Sequence, residues 1–185
     1  MPRLPLAALA LSLALPASAQ EALDQDAAKA QLFGTRSVQV AITAHPFLSE
    51  ADIGTLRALP GVAQLKYYGA MAAHPSEGLQ SERTRGAFNF HSIDAARAAA
   101  VAACGQGCVV VAEILPRGYE AGRSFTLNQD ASKAVAGRDF RRAGQNAALA
   151  ISRSTGAWGL GDGPQAAIAT CAAGGASDCE VAVSR

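Results

Sequence analysis

The stretch Ala148-Leu-Ala-Ile-Ser-Arg-Ser-Thr-Gly156 decides the fold, because it echoes Ala70-Met-Ala-Ala-His-Pro-Ser-Glu-Gly78 at the positions A-x-A-x-x-x-S-x-G. A Gly-Ala-aromatic step follows each, Gly86-Ala87-Phe88 and Gly156-Ala157-Trp158. An alanine-rich segment then runs to a cysteine, Cys104 or Cys171, and a second cysteine opens an apolar run, Cys108-Val-Val-Val-Ala or Cys179-Glu-Val-Ala-Val. The offset between copies falls from 78 residues at their start to 70 at the Gly-Ala step, so the first copy carries eight extra residues, Leu79 to Arg85 with Gly86 closing them.

Each copy reads as strand, turn, strand, helix, strand. Ala147, Leu149 and Ile151 alternate with Ala148, Ala150 and Ser152, the period-2 pattern of a half-buried strand. Gly156 to Gly163 reads as a glycine-rich strand, Pro164 suits the first position of a helix, and Gly174-Gly175 its stop. In the first copy Ser92 is the N-cap candidate and Gly105 the stop. A period near 70 with two copies is too long and too few for a solenoid. The expectation is one α+β domain of two ββαβ-like repeats, about 68–115 and 145–183 within 32–185, with helices packed on an antiparallel sheet. Phe88 and Trp158 are then expected in equivalent surroundings.

Outside the copies, Ser37-Val-Gln-Val-Ala-Ile-Thr43 alternates as a strand. Ser49 to Leu59 opens with a Ser-x-x-Asp capping box and spaces Ile53, Leu56 and Leu59 along one helix face. A helix over Asp130–Arg142 would join the copies. Residues 20–31 are polar and read as a flexible N-terminus.

The first nineteen residues have a basic start at Arg3, an apolar run from Leu4 to Leu15 and the small-residue ending Ala17-Ser18-Ala19, the layout of a cleavable secretory signal peptide. The apolar run is too short for a membrane helix, and no later stretch reaches the length one needs. The full chain has 16 Lys+Arg against 15 Asp+Glu. Removing residues 1–19 takes Arg3 and no acid, leaving a neutral chain with no long-range field to steer a polyanion. Periplasmic or secreted placement follows, with neither nucleic acid nor membrane insertion after cleavage.

These residues resemble a family of small exported bacterial domains of unknown function, marked by a Gly-Ala-Trp-Gly repeat and paired cysteines. The likeness covers Tyr68–Leu115 and Gln145–Val183 and is fullest at Gly156-Ala-Trp-Gly159 and Cys171…Cys179. The first copy departs from it, with Phe88-Asn89 in place of Trp-Gly and the eight-residue insert, and neither terminal strand is followed by a further cysteine. The resemblance implies fold and export but no reaction. A 5-aminolevulinate synthase is not supported, since that chemistry needs pyridoxal phosphate on a lysine in a much larger fold. Lys29, Lys66 and Lys133 have no such setting.

Four cysteines in an exported chain form a disulfide framework with three possible connectivities. Pairing within each copy, Cys104 with Cys108 and Cys171 with Cys179, uses the turning freedom of Gly105, Gly107, Gly174 and Gly175. Pairing between copies would close a longer loop and require the two helix ends to meet. Neither a zinc site nor a thioredoxin-like redox site fits, since both want C-x-x-C. No metal or cofactor is expected.

The histidines are His45, His74 and His91. His45 and His74 each precede proline in similar strings and are placed at strand ends, with no paired-ligand spacing for metal. Gly159-Leu-Gly161-Asp-Gly163 lacks G-x-G-x-x-G spacing and reads as strand rather than phosphate loop. No G-x-S-x-G elbow is present, and no catalytic residue is assigned. Glu113, Glu120 and Asp139 could act as acids only if folding gathered them. The insert is the best candidate for recognition, because a loop on a rigid scaffold is where binding concentrates. Candidate binding residues are therefore Ser81, Glu82, Arg83 and Arg85, with His74 and His91.

The leading expectation is an exported non-catalytic binding, adaptor or inhibitor domain of the bacterial envelope, with an envelope protein or glycan as partner. The alternative is a small envelope enzyme using a histidine and a carboxylate, which requires such a pair in a concave pocket.

Overall fold

In chain order the elements of the computed structural model, which describes residues 21–185, are β1 (Leu23–Asp24), α1 (Gln25–Gln31), β2 (Val38–Ile42), α2 (Glu50–Val62), β3 (Gly69–Ala73), β4 (Arg85–Ala87), α3 (Ile93–Cys104) and β5 (Val109–Pro116). There follow α4 (Gln129–Ala136), α5 (Asp139–Arg142), β6 (Ala147–Ser152), β7 (Trp158–Asp162), α6 (Pro164–Ala172) and β8 (Cys179–Ser184). The expected signal peptide, residues 1–19, lies outside the described residues.

The strands form two four-stranded sheets rather than one, ordered β2-β5-β3-β4 and β1-β8-β6-β7. Both units run strand, strand, helix, strand, and in both the first strand sits between the other two. The last strand of each is flanked by an outer strand, β2 or β1. Pairing is antiparallel except at β1–β8. The register shifts between Met71 and Ala72 in one sheet and between Leu149 and Ala150 in the other, positions that the 78-residue offset superimposes.

One landmark does not superimpose. Ala70 lies opposite Ala87, whereas its counterpart Ala148 lies opposite Gly161, four residues beyond Ala157. Trp158 instead pairs with Ile151 and packs with Leu160 against the core. Phe88 follows its strand and lies over Gly69 and Gly86, so close that a Cβ on either glycine would come within 2.4 Å of the ring. The Gly-Ala-aromatic strings thus occupy different places, because β4 ends after three residues and β7 continues for five. The topology and the bulge repeat; the surroundings of the two aromatic rings do not.

Central strand β6, expected to be half-buried, is buried throughout. Ala148 and Ala150 meet Ala167 and Cys171 of α6, while Leu149 and Ile151 face Val135, Phe140 and Leu127. The period-2 pattern still sorts residues by face: alanines go under the close helix and branched side chains into the deeper core. In the other sheet Ala70 and Ala72 meet Ala96, Ala100 and Cys104 of α3, and Ala73 packs with Leu48 and Leu56 on the α2 side. Each sheet is therefore a central layer with helices on both faces. Each fully buried Leu or Ile contributes about 1.5–3 kcal/mol.

Gly159 and Gly161 explain how α6 lies so close. A Cβ at Gly159 would come within 2.2 Å of the Cys171 backbone nitrogen, and one at Gly161 within 2.6 Å of Ala166. These glycines belong to a strand, and α6 covers the space a side chain would need.

The capping box of α2 forms as its sequence requires: Ser49 Oγ accepts from Asp52 N at 3.1 Å, and Asp52 Oδ2 accepts from Ser49 N at 3.0 Å. The helix expected over Asp130–Arg142 divides into α4 and α5 at Gly137. The segment 20–31, expected to be flexible, folds from Leu23 onward. Asp24 caps α1, Ala28 is buried in the main cluster, and Gln25 Nε2 donates to Val135 O at 2.7 Å.

Candidate functional site

The insert is an ordered loop. Leu79 is buried beside Leu56 and Val111 and anchors its start; Thr84 Oγ1 donates to Leu79 O at 2.9 Å and closes it. Glu77, two residues before Leu79, is the hub. Its carboxylate accepts from Ser81 Oγ at 2.6 Å and from Arg83 Nη1 at 2.7 Å. Both bonds favour the ionised form and hold its pKa below the usual glutamate value.

Arg83 joins the loop to the disulfide turn. Its Nε donates to Cys104 O at 3.3 Å, and its Nη2 donates to Gln106 O at 2.9 Å. The planar guanidinium can hold two carbonyls and a carboxylate together, which a lysine ammonium could not do in this geometry. Cys104–Cys108 is bridged, as is Cys171–Cys179. Both pairings lie within their own unit and staple a helix end to the following strand. Glu82 and Arg85 are exposed; Arg85 Nη1 donates to the carbonyls of Glu82 and Thr84.

His74 directly follows β3, beside this loop. Its Nδ1 lies 2.9 Å from Ser76 Oγ and 3.9 Å from Glu77 Oε1. The opposite edge faces Gly107, where a Cβ would lie 2.7 Å from Nε2. Gly107 has φ 84°, so both space and backbone conformation select glycine there. A serine activated by histidine needs the serine on one ring nitrogen and the orienting acid on the other. Here both approach Nδ1, so the arrangement is not a triad.

His91, counted among the binding candidates, is 3% exposed and out of a partner's reach. Its Nε2 lies 3.0 Å from Ala157 O, and its Nδ1 accepts from Asn128 N at 3.1 Å. A carbonyl on one side and an N–H on the other fix the neutral tautomer with hydrogen on Nε2. Burial lowers its pKa to about 4 against an ordinary 6.5. No carboxylate among the described residues bonds to the ring, and its contacts make it a structural residue where the two units meet.

Asn128 completes that junction. Its Nδ2 donates to Asn89 O and to Gly156 O, each at 2.9 Å, and its Oδ1 accepts from Ala131 N at 2.7 Å to cap α4. Sequence spacing does not point to Asn128; the Asn-x-x-Ala start of α4 is its only local signal.

His45 Nε2 lies 2.9 Å from Val110 O, and its ring stacks on Phe47. The acids do not gather at any histidine: Glu113 pairs with Arg97, Glu120 with Arg123 and Asp139 with Arg142. Neither of the two cavities described is lined by a histidine. No group of three or more His, Cys, Asp or Glu able to hold a metal occurs among the described residues, and none of their helices is long and apolar enough to cross a membrane.

Compared with protein-family models, curated proteins and solved structures, the chain shows no match.

Proposed function

We propose that this chain is a non-catalytic binding domain of the bacterial envelope, periplasmic or secreted, that docks a protein partner through the loop Ser76–Arg85 beside the Cys104–Cys108 turn. One observation carries the reading: Arg83 bonds at once to Glu77 and to the carbonyls of Cys104 and Gln106. A loop held this way loses little conformational freedom on binding, so more of the contact energy appears as affinity. It leaves Glu82, Arg85, Gln80 and Gln106 on the outside. Two disulfides support the extracytoplasmic placement, since such bonds persist in oxidising compartments. The enzyme alternative has less support, because His74 has no acid on its far nitrogen and His91 is buried.

The test is affinity capture from an envelope fraction with the disulfide-intact chain, against the double variant Glu82→Ala/Arg85→Ala. These substitutions keep Leu79 in the core and the Glu77–Arg83 pair intact, so folding is preserved. A protein captured by the wild type and lost by the variant is the expected result. Capture that survives proteolysis of the fraction would point to a glycan instead, and capture unaffected by the substitutions would overturn the assignment of the loop.

A further inference from the structure

A cleft of about 580 Å³ opens between three separate parts of the chain, a volume in the range of small-molecule sites. Arg36 enters it from the segment before β2, Lys66 from the loop after α2 and Lys133 from α4. No residue of the docking loop lines it.

Its charge is unbalanced. Lys66 Nζ pairs with Asp130 Oδ2 at 2.5 Å, and the same oxygen accepts from Asn89 Nδ2 at 3.0 Å. Arg36 and Lys133 have no carboxylate partner among the described residues. Two cationic residues without a carboxylate partner therefore line one concave space, in a chain that is otherwise close to neutral.

The walls are fixed before any ligand arrives. Gln129, only 9% exposed, lines the cleft and bonds in two directions. Its Nε2 donates to Thr35 O at 2.9 Å, and its Oε1 accepts from Tyr67 N at 3.3 Å. One buried amide thus holds the Arg36 segment and the Lys66 segment against α4. Gln64, also in the lining, has φ 44°. Such a conformation costs a non-glycine residue of order 1 kcal/mol and recurs at ligand sites.

We propose that this cleft binds a small organic phosphate monoester. A phosphate monoester near neutral pH carries about −1.5 to −2 on one compact group, which matches the two free cations. Arg36 supplies a planar fork for paired oxygens, and Lys133 supplies a point charge. The volume exceeds what a phosphate alone would fill, leaving the Gln64 amide and the Ser37 hydroxyl for the esterified alcohol.

The experiment is an NMR titration of backbone amides in the disulfide-intact chain with glucose 6-phosphate at low ionic strength, run beside glucose and succinate. Saturable shifts confined to residues 36–38, 64–66 and 129–133 are expected with the sugar phosphate, with at least about tenfold weaker binding of the other two and weakening as salt is added. The double variant Arg36→Gln/Lys133→Gln alters exposed side chains and should keep its melting temperature while losing at least about tenfold in affinity. No shifts at these residues, equal binding of succinate or glucose, or full affinity in the folded variant would overturn the proposal.

Discussion

His91 Nε2 and the carbonyl oxygen of Ala157 lie 3.0 Å apart, and through this bond the residue preceding the cap of α3 holds the turn that leads into β7. The contact on the other side of the ring needs neutral imidazole, because Nδ1 must stay free to accept from Asn128 N. A proton on Nδ1 would set two N–H groups against each other in a site with almost no water.

Acid should therefore weaken the fold in a defined window. The folded-state pKa of His91 is depressed to about 4, while the unfolded chain titrates near 6.5. As pH falls through 6.5 the unfolded chain takes up the proton first, so stability declines between about 6.5 and 4 and does not decline further from this group below that. The loss at pH 4 is about 3 kcal/mol, because each pH unit between the unfolded and folded pKa values is worth about 1.36 kcal/mol. Asp52 and Asp178, whose pKa values are lowered by bonds from Ser49 and Ser152 respectively, lose their contributions only as pH falls below their ordinary 3.8, past the acid end of this window. Urea unfolding at a series of pH values checks this; a flat profile from pH 7 to 5 would show that the ring is not buried as described.

Asn128→Ala should be among the most damaging single polar substitutions. It removes the α4 cap and leaves the carbonyls of Asn89 and Gly156 without their donor. A lost cap costs about 1 kcal/mol and an orphaned buried acceptor about 1–3 kcal/mol, so a loss of about 2–4 kcal/mol is expected from denaturation midpoints. A loss below about 1 kcal/mol would mean that the Asn128 bonds add little to what the His91–Ala157 bond and apolar contact already hold.

How much of this is legible in the sequence varies with the range of the interaction. The Ser49 cap, strand β2 and the strand-strand-helix-strand order depend on neighbours a few residues apart, and their spacing appears directly in the chain. The disulfide pairs are legible for the same reason, since Gly105, Gly107, Gly174 and Gly175 mark short turns between each helix and its strand. The His91–Asn128 junction and the Gln129 cleft join segments 37 and 94 residues apart, and no periodicity encodes such a meeting. The alanine content of α3 and α6 implies close packing, but which face of the sheet each covers depends on the other helices.

Two glycine-to-alanine changes should move stability in opposite directions. At Gly159 the new methyl would meet Cys171 N and Ala167 O within 2.4 Å, and α6 must move outward, at about 3 kcal/mol or somewhat less. Gly54 lies inside α2 with nothing near its missing Cβ, so Gly54→Ala should stabilise by about 0.5–1 kcal/mol through reduced freedom of the unfolded chain. Thermal melts of the two variants decide it, and a Gly159→Ala protein that melts like the wild type would contradict the close approach of α6.

The two disulfides should prove separable in effect. In the chain-entropy picture the short Cys104–Cys108 loop contributes about 2 kcal/mol and the longer Cys171–Cys179 loop about 2.5 kcal/mol, so replacing either pair by alanine should lower stability by similar amounts. Local consequences should differ. Only the first bridge shapes the turn whose carbonyls, at Cys104 and Gln106, receive Arg83. Without it that turn can open, Arg83 keeps only Glu77, and the loop 79–85 gains freedom. Hydrogen exchange should thus quicken over residues 79–85 in Cys104→Ala/Cys108→Ala and stay near wild type there in Cys171→Ala/Cys179→Ala. Arg83→Ala should reproduce the first pattern with both bridges present. If exchange in the loop is indifferent to Arg83 and to the first bridge alike, the loop is held by Leu79 and Thr84 alone, and the rigidity on which the docking proposal depends comes from the core rather than from the staple.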